Sequence, residues 1–202
     1  MNLFSDFYGS VLTMKDKEKK KRELIEWIIL IAIVSIIYLG GWQTPVIGKL
    51  QQVVLSTGII SPDIVDEELE ANYNFEIEDA EGGIIDFNEF QGKVVFLNFW
   101  ATWCPPCIAE MPDINDLYGK EKNVAFVMVS LDRDRQKARD FVVEKEFEFP
   151  IYFLKSALPD LYNVSSIPTT YVLSKDGKVK VRNHGMAKYD SKKFRAFLSE
   201  LQ

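Results

Sequence analysis

The chain has 202 residues, of which 47% are hydrophobic and 27% are charged, enough for one globular domain with a core plus an extra segment. Its formal net charge of -6 argues against a nucleic-acid partner, because phosphate binding requires clustered positive charge. Cys104 and Cys107 are the only cysteines in the sequence, so a structural disulfide elsewhere is excluded. His184 is the only histidine, so a structural zinc site lacks ligands, and we expect no metal ion and no cofactor.

The N-terminal part of the chain predicts a membrane anchor. Residues 24–42 (LIEWIILIAIVSIIYLGGW) carry a single charge, that of Glu26, and as a helix would span roughly 28 Å, close to the hydrocarbon thickness of a bilayer. The basic run KDKEKKKR at residues 15–22 comes directly before this stretch. The positive-inside rule therefore predicts a cytoplasmic tail at residues 1–23, one span of the cell inner membrane, and a periplasmic or extracytoplasmic position for the rest.

A cleaved signal peptide is the alternative, since the uninterrupted apolar core at residues 27–39 is short enough for one. The following residues, GGWQTP, contain no Ala-x-Ala-like cleavage site, which favours an uncleaved anchor. A lipoprotein anchor is excluded, because no cysteine stands directly after the stretch as a lipid attachment point. Translation from either Met1 or Met14 keeps the basic run and the anchor.

Residues 43–72 are predicted to be a linker. Aliphatic residues at helical spacing within it predict a short amphipathic helix that lies against the membrane or the domain. The stretch SPDIVDEELE at residues 61–70 is acidic, and we expect it to be exposed. The aliphatic residues of the predicted helix are Val46, Ile47, Leu50, Val53 and Val54.

Residues 73–202 alternate between strand-like and helix-like patterns, which predicts an α/β domain with a mixed sheet. Two continuous apolar runs are typical of strands buried on both faces, and an Asp-Gly pair indicates a hairpin turn. A final amphipathic helix has Asp190 or Ser191 as its N-cap. The predicted strands are residues 94–101, 124–131, 151–154 (edge-like), 169–174 and 178–182, and the predicted helices are residues 108–118, 135–147 and the C-terminal segment.

The sequence Trp103-Cys104-Pro105-Pro106-Cys107 lies where a buried strand passes into a helix. Cys104 would stand at the helix N-terminus, where unpaired N–H groups and the helix dipole stabilise a thiolate. The spacing brings the two sulfurs close enough to bridge, and first-turn prolines are tolerated, although each removes an N–H donor. The motif therefore predicts thiol–disulfide exchange, with Cys104 as the attacking thiol and Cys107 as the resolving one.

The segment FLNFWATWCPPC, followed by Glu110, Met111 and Pro112, resembles the thioredoxin superfamily. It is most similar to the membrane-anchored TlpA/ResA-like group of thiol–disulfide oxidoreductases, which work in bacterial extracytoplasmic redox pathways. The resemblance covers residues 73–202 and implies a thioredoxin-like mixed β-sheet flanked by helices. It also implies that Pro112 kinks the active-site helix.

The resemblance implies roles for further residues. Ile167, Pro168 and Thr169 match a cis-proline loop that faces the cysteine pair and pairs with the client backbone, and a cis peptide is essentially a proline feature. Trp103, Pro105 and Pro106 are expected to border the same client-binding surface.

Glu110 matches an acid that the group places near the cysteine pair, where it would exchange protons with the resolving thiol. That role requires a pKa raised by burial, whereas the alternative is an exposed glutamate in the first turn. Asn98 stands where thioredoxins carry a buried aspartate, and its amide cannot titrate. His184 is expected to be a surface or packing residue.

The resemblance implies an enzyme that exchanges electrons with cysteine-containing client proteins, most often as a reductase. Apocytochrome c is one implied client, and a membrane electron donor would supply the electrons. An oxidase remains open, because direction depends on the redox potential. A copper-delivery module and a thiol peroxidase on the same fold are the alternatives; the first favours Cys-x-x-x-Cys with a partnered histidine, and the second a lone attacking cysteine. A binding module without catalysis is a further alternative.

Overall fold

The computed structural model describes residues 20–36, 43–57, 60–162 and 164–202. The chain forms two compact units, Met1–Gln43 and Thr44–Gln202. Helix α1, residues 20–36, is the described part of the first unit, and its side chains are exposed. Over the described residues, no helix combines the length and the apolar character needed to cross a bilayer. Residues 37–42 of the expected span, and residues 1–19 of the expected tail, lie outside that range.

The second unit contains a mixed sheet flanked by helices. Its strands are β1 (Ile64–Glu70), β2 (Glu76–Asp79), β3 (Ile84–Asp86), β4 (Val94–Trp100), β5 (Val124–Ser130), β6 (Ile151–Leu154), β7 (Thr169–Leu173) and β8 (Lys178–His184). Its helices are α2 (Gln43–Ser56), a 3-10 helix (Phe87–Phe90), α3 (Pro105–Lys120), α4 (Arg135–Glu144) and α5 (Lys192–Glu200). These elements confirm the predicted thioredoxin-like α/β fold.

The strands form one sheet in the order β1-β8-β7-β4-β5-β6-β2-β3. Strand β4 pairs parallel with β5 and antiparallel with β7, and every residue of β4 is buried. Alternate side chains of a strand point to opposite faces, so Phe96 and Trp100 join one core cluster while Val95, Leu97 and Phe99 join the other. The central strand thus ends, fully supported on both sides, at the loop that leads to Cys104.

The predicted hairpin and the central strands are confirmed, whereas two other expectations are wrong. Strand β6 was expected at an edge but lies between β5 and β2. The domain boundary at residue 73 is also too late, because β1 pairs with β8 as the edge strand of the sheet. Its acidic sequence does not show the alternation of a half-buried strand, and β2 and β3 are too short to give a clear period.

Two helix boundaries differ from the predicted ones. Helix α3 begins at Pro105 rather than at residue 108, because a proline in the first helical turn has the required φ and lacks only an N–H that would have no partner. Helix α4 ends at Glu144 rather than at residue 147, because Glu146 adopts a positive φ of 56°, a left-handed conformation that ends helices. Ser191 is the N-cap of α5, and its side chain accepts from the N–H of Phe194.

Helix α2 confirms the helix predicted in the linker. Leu50, Val53 and Val54 are exposed, and Gly48 and Leu55 are buried among the residues of α2 whose burial the structure describes. The domain therefore does not cover the aliphatic stripe at these three positions, and its expected contact with the membrane stays a prediction. The side chains of Val46 and Ile47 lie outside the described part of the chain.

Candidate active site

The loop before Cys104 is held by a buried carboxylate. Asp132 accepts hydrogen bonds from the N–H of Thr102 at 2.9 Å and from the Thr102 hydroxyl at 2.7 Å. The hydroxyl of Ser130, at the end of β5, donates to the same carboxylate at 2.9 Å. Hydrogen bonds to a charged acceptor are stronger than neutral ones, so this cluster fixes the path of the chain from β4 into α3.

Cys104 and Cys107 form a disulfide with their Cα atoms 5.3 Å apart, which confirms that the spacing allows a bridge. Cys104 is the N-cap residue of α3, and the N–H of Cys107 points at its sulfur at 3.3 Å. Because Pro105 and Pro106 have no N–H, this amide is the first donor that the helix offers. After reduction, the same amide and the helix dipole stabilise a thiolate on Cys104.

The two sulfurs differ in their access to a client. Cys107 is completely buried, and Cys104 is 3% exposed. The neighbouring Trp103 is 61% exposed, and Pro105 and Pro106 are half-buried, so these three predicted contact residues reach the surface beside Cys104. Because Cys107 has no exposed surface, we expect a client sulfur to reach Cys104 first.

The predicted proline loop faces the cysteine pair. The Ile167–Pro168 peptide bond is cis, as predicted, and the Ile167 carbonyl oxygen lies 3.6 Å from the sulfur of Cys104. The loop is tied to the sheet on its other side, where the N–H of Gly185 donates to the Pro168 carbonyl at 2.8 Å. The Thr169 hydroxyl donates to the carbonyl of Ser166 at 2.7 Å. The structure thus brings Ile167 beside Cys104, and Pro168 and Thr169 follow it into β7.

Glu110 is buried, with 1% of its surface exposed, one helical turn beyond Cys107. Its carboxylate accepts from the amide of Asn98 at 3.0 Å and from the N–H of Ala187 at 3.2 Å. Burial raises the pKa of Glu110 to about 8, although these two hydrogen bonds act in the opposite direction. A carboxyl group with such a pKa can both accept and release a proton near neutral pH, as a proton partner of a thiol must.

A buried polar network around Glu110 was not predicted from the sequence. The amide of Asn98 also donates to the Thr170 hydroxyl at 2.9 Å, and the amide of Asn183 donates to the Tyr189 hydroxyl at 3.4 Å. Burial, together with the negative charge of Glu110, raises the pKa of Tyr189 well above its usual range. These residues come from β4, β7 and the segment around β8, which only the folded sheet brings together; no local motif marks them.

The structure also gives the positions of Trp100, Pro112 and His184. Trp100 is fully buried in the core, and Pro112 lies inside α3, where it leaves the Ile108 carbonyl without its helical N–H donor. His184 is exposed at the end of β8, with its Nδ1 atom 3.1 Å from the Thr169 hydroxyl. Among the described residues, no group of three or more His, Cys, Asp or Glu side chains could hold a metal ion.

Comparisons with known proteins agree with this geometry. The model of the AhpC/TSA family matches residues 70–182. The ResA thiol–disulfide oxidoreductase of Bacillus thuringiensis subsp. konkukian is 41% identical over 109 residues, which cover 52% of this chain and 63% of that relative. The ResA protein of Oceanobacillus iheyensis is 32% identical over 171 residues, covering 83% of this chain and 84% of the relative.

Solved structures show the same fold. A Chlorobium tepidum protein assigned as the thiol:disulfide interchange protein DsbE has a TM-score of 0.58 and 30% identity, covering 68% of this chain and 99% of its own. StoA from Bacillus subtilis has a TM-score of 0.51 and 26% identity, covering 63% of this chain and 96% of its own. The fold is therefore shared with these proteins, and the Chlorobium tepidum protein is named for disulfide interchange.

Proposed function

The chain belongs to the AhpC/TSA family and resembles the ResA proteins within it, and we propose that it is a thiol–disulfide oxidoreductase acting through Cys104 and Cys107. One observation carries this proposal. The disulfide caps the N-terminus of α3, faces the carbonyl of Ile167, and has the buried carboxyl of Glu110 one turn behind it. This arrangement supports the assignment of an attacking sulfur, a resolving sulfur, a docking loop and a proton partner to one site.

In the reducing direction, the Cys104 thiolate attacks one sulfur of a client disulfide. A bond forms between Cys104 and that sulfur, the client disulfide breaks, and the other client sulfur leaves as a thiolate. Cys107 gives its proton to the Glu110 carboxylate and attacks Cys104, which releases the first client sulfur as a thiolate. Two electrons pass from the pair to the client, leaving a Cys104–Cys107 disulfide. The client thiolates then take up protons from the solvent, and Glu110 releases to the solvent the proton that it took from Cys107.

The proposed setting is the outer side of the inner membrane. The apolar residues 24–42 would anchor the chain, with residues 1–23 in the cytoplasm, because the basic run lies on that side of the stretch. Residues 43–63 then connect the anchor to the thioredoxin-like domain, whose sheet begins with β1. In that location a membrane electron donor would re-reduce the pair, and the clients would be extracytoplasmic proteins whose cysteines must stay reduced, such as apocytochrome c.

Reduction of insulin disulfides by the purified protein tests the activity. With dithiothreitol as electron source, we expect the wild-type protein to accelerate insulin precipitation, and both Cys104→Ser and Cys107→Ser to lose the acceleration. Asp116→Asn is a matched control, because Asp116 is an exposed carboxylate on the same helix. Wild-type protein that consumes hydrogen peroxide but fails to reduce insulin would instead support the peroxidase alternative.

A further inference from the structure

Helix α2 turns large aliphatic side chains away from the domain. Leu50, Val53 and Val54 are 65%, 66% and 48% exposed, and their i, i+3, i+4 spacing places them on one face of the helix. A helix of a globular domain usually directs such a face into the core. An exposed stripe of this kind is typical of a surface that meets another apolar phase.

The opposite face of α2 rests on the active-site helix. Gly48 is buried, and a Cβ atom at this position would lie 3.4 Å from the carbonyl oxygen of Pro105 and 3.7 Å from the side chain of Ile108. Leu55, two turns further along on the same face, is 3% exposed. The backbone of α2 therefore lies directly against the first turn of α3, which carries the redox pair.

The charges around α2 are compatible with a lipid surface as the occupant of this face. The only charged side chain between residues 43 and 57 is that of Lys49, which is exposed. Residues 58–202 carry 25 acidic and 17 basic side chains, a net charge of -8. A lipid surface with anionic headgroups would repel the acidic remainder of the domain, whereas α2 offers it aliphatic side chains with a flanking cation.

In the sequence, α2 follows the expected membrane span directly. Helix α2 begins at Gln43, immediately after the expected span at residues 24–42, so no spacer carries it away from the membrane. We propose that α2 lies in the membrane interface, with Leu50, Val53 and Val54 at the boundary of headgroups and acyl chains and Lys49 among the headgroups. The orientation on the outer leaflet rests on the anchor of the proposed function.

An interfacial position of α2 places the redox pair close to the lipid surface. An interfacial helix buries its apolar face about 5–10 Å into the headgroup and acyl boundary and is about 10–12 Å thick with its side chains. The first turn of α3 rests on the opposite face of α2, so the Cys104–Cys107 disulfide would be held within about one helix diameter of the headgroups. Exchange would then take place at the membrane surface rather than at the end of a long tether.

Spin labels attached to the full chain test whether α2 lies in the membrane interface. The chain, carrying Cys104→Ser and Cys107→Ser, is placed in nanodiscs of phosphatidylcholine and phosphatidylglycerol, and a single label is attached at Leu50→Cys. Val143→Cys on α4 is the matched control, because Val143 is an aliphatic residue that is 77% exposed. Ile33→Cys on α1 reports on the anchor. We expect the ratio of oxygen to nickel-complex accessibility at Leu50 to exceed that at Val143 and to approach that at Ile33.

The possible results separate this proposal from the proposed function. If the Leu50 label is as accessible to the nickel complex as the Val143 label while the Ile33 label lies in lipid, α2 does not lie in the membrane interface. The proposed anchor is unaffected by this result. A Leu50 label shielded from both reagents indicates a protein contact, such as a second copy of the chain, and also overturns the interfacial position of α2. An Ile33 label in water overturns the anchor and, with it, this inference. The insulin assay is independent of all three results.

Discussion

The amide of Asn98 donates a hydrogen bond to the carboxylate of Glu110 at 3.0 Å, at a place where neither side chain has more than 1% of its surface exposed. The pair links the central strand β4 to the active-site helix α3. The side-chain oxygen of Asn98, Oδ1, has no hydrogen-bond partner among the described residues. If the side-chain amide of Asn98 rotated by half a turn, its oxygen would face Glu110 and could accept a hydrogen bond from the protonated acid. An amide at position 98 can therefore pair with either protonation state of Glu110.

The buried acid should make stability depend on pH. The pKa of Glu110 is about 8 in the folded chain and near its ordinary value after unfolding, so the folded state holds one more proton between these values. Its contribution to stability is therefore complete at low pH and is lost as the pH rises towards 8. We expect Glu110→Gln to remove a slope of roughly 1.4 kcal/mol per pH unit between pH 5 and 7. Urea unfolding of the oxidised domain at several pH values measures this slope.

Asp116→Asn is the control for this experiment, because it removes an exposed carboxylate from the same helix and should leave the slope unchanged. Equal slopes for the wild type and Glu110→Gln would show that Glu110 is already ionised in the folded protein at pH 5.

The same residue should control the rate at which Cys107 resolves a mixed disulfide. Without the carboxylate, the proton of Cys107 has to leave without a positioned acceptor, and a general base typically contributes 10²–10⁴-fold to such a step. We expect Glu110→Gln to slow release of a client peptide from Cys104 by about 100-fold at pH 7, with little change in the first attack. Stopped-flow measurement of peptide release over pH 6–9 should also show that an inflection near pH 8 disappears. A variant that retains this inflection would assign it to another group.

Asn98→Asp should introduce a second buried acid beside Glu110. Two carboxyl groups in hydrogen-bond contact cannot both ionise without strong repulsion, so they share protons and titrate as a pair. We expect the last proton of the pair to be held to a higher pH than that of Glu110 alone, so the loss of stability should continue to a higher pH than in the wild type. Asn98→Ala is the control: it removes the hydrogen bonds to Glu110 and Thr170 and should lower stability without extending the loss to higher pH. Urea unfolding at matched pH values distinguishes the two variants.

The redox motif was accessible to sequence analysis because its chemistry is local. The apolar run of β4, the prolines at the start of α3 and the spacing of Cys104 and Cys107 lie within fourteen consecutive residues, 94–107. Strand, helix start and sulfur pair could therefore be predicted together. Predicting that Glu110 is buried depended on the family resemblance, because the sequence alone also allowed an exposed glutamate in the first turn of a helix.

The network behind Glu110 depends on long-range pairing that no local pattern encodes. Thr170 reaches Asn98 because β7 pairs with β4, and Ala187 reaches Glu110 across 77 positions of the chain. Strand β1 was missed for a related reason: its acidic residues suit an exposed edge, and it is a strand because β8 offers it backbone partners. Edge strands of this kind follow from tertiary pairing rather than from their own sequence.

Asp132→Ala should loosen the loop that delivers Cys104. The substitution removes the acceptor of three hydrogen bonds, two from Thr102 and one from Ser130. We expect a loss of about 2–4 kcal/mol, since hydrogen bonds to charged groups contribute about 1.5–3 kcal/mol each and water partly replaces them. Asp134→Ala is a matched control two residues away, where the loss of the N-cap of α4 should cost only about 1 kcal/mol. Equal losses for the two variants in urea unfolding would show that the Asp132 cluster does not hold the loop.

Cys107→Ser should trap clients on Cys104. The first step of the exchange needs only the Cys104 thiolate, which the N–H of Cys107 reaches at 3.3 Å; a serine backbone supplies the same amide. The second step needs the sulfur at position 107, so the mixed disulfide should accumulate rather than resolve. Cells expressing Cys107→Ser, treated with acid to quench exchange and separated on non-reducing gels, should show adducts that reducing agent releases. Cys104→Ser provides the opposite variant, and because Cys107 is completely buried it should form far fewer adducts. Adducts that form on Cys107 and not on Cys104 would reverse the assigned roles of the two cysteines.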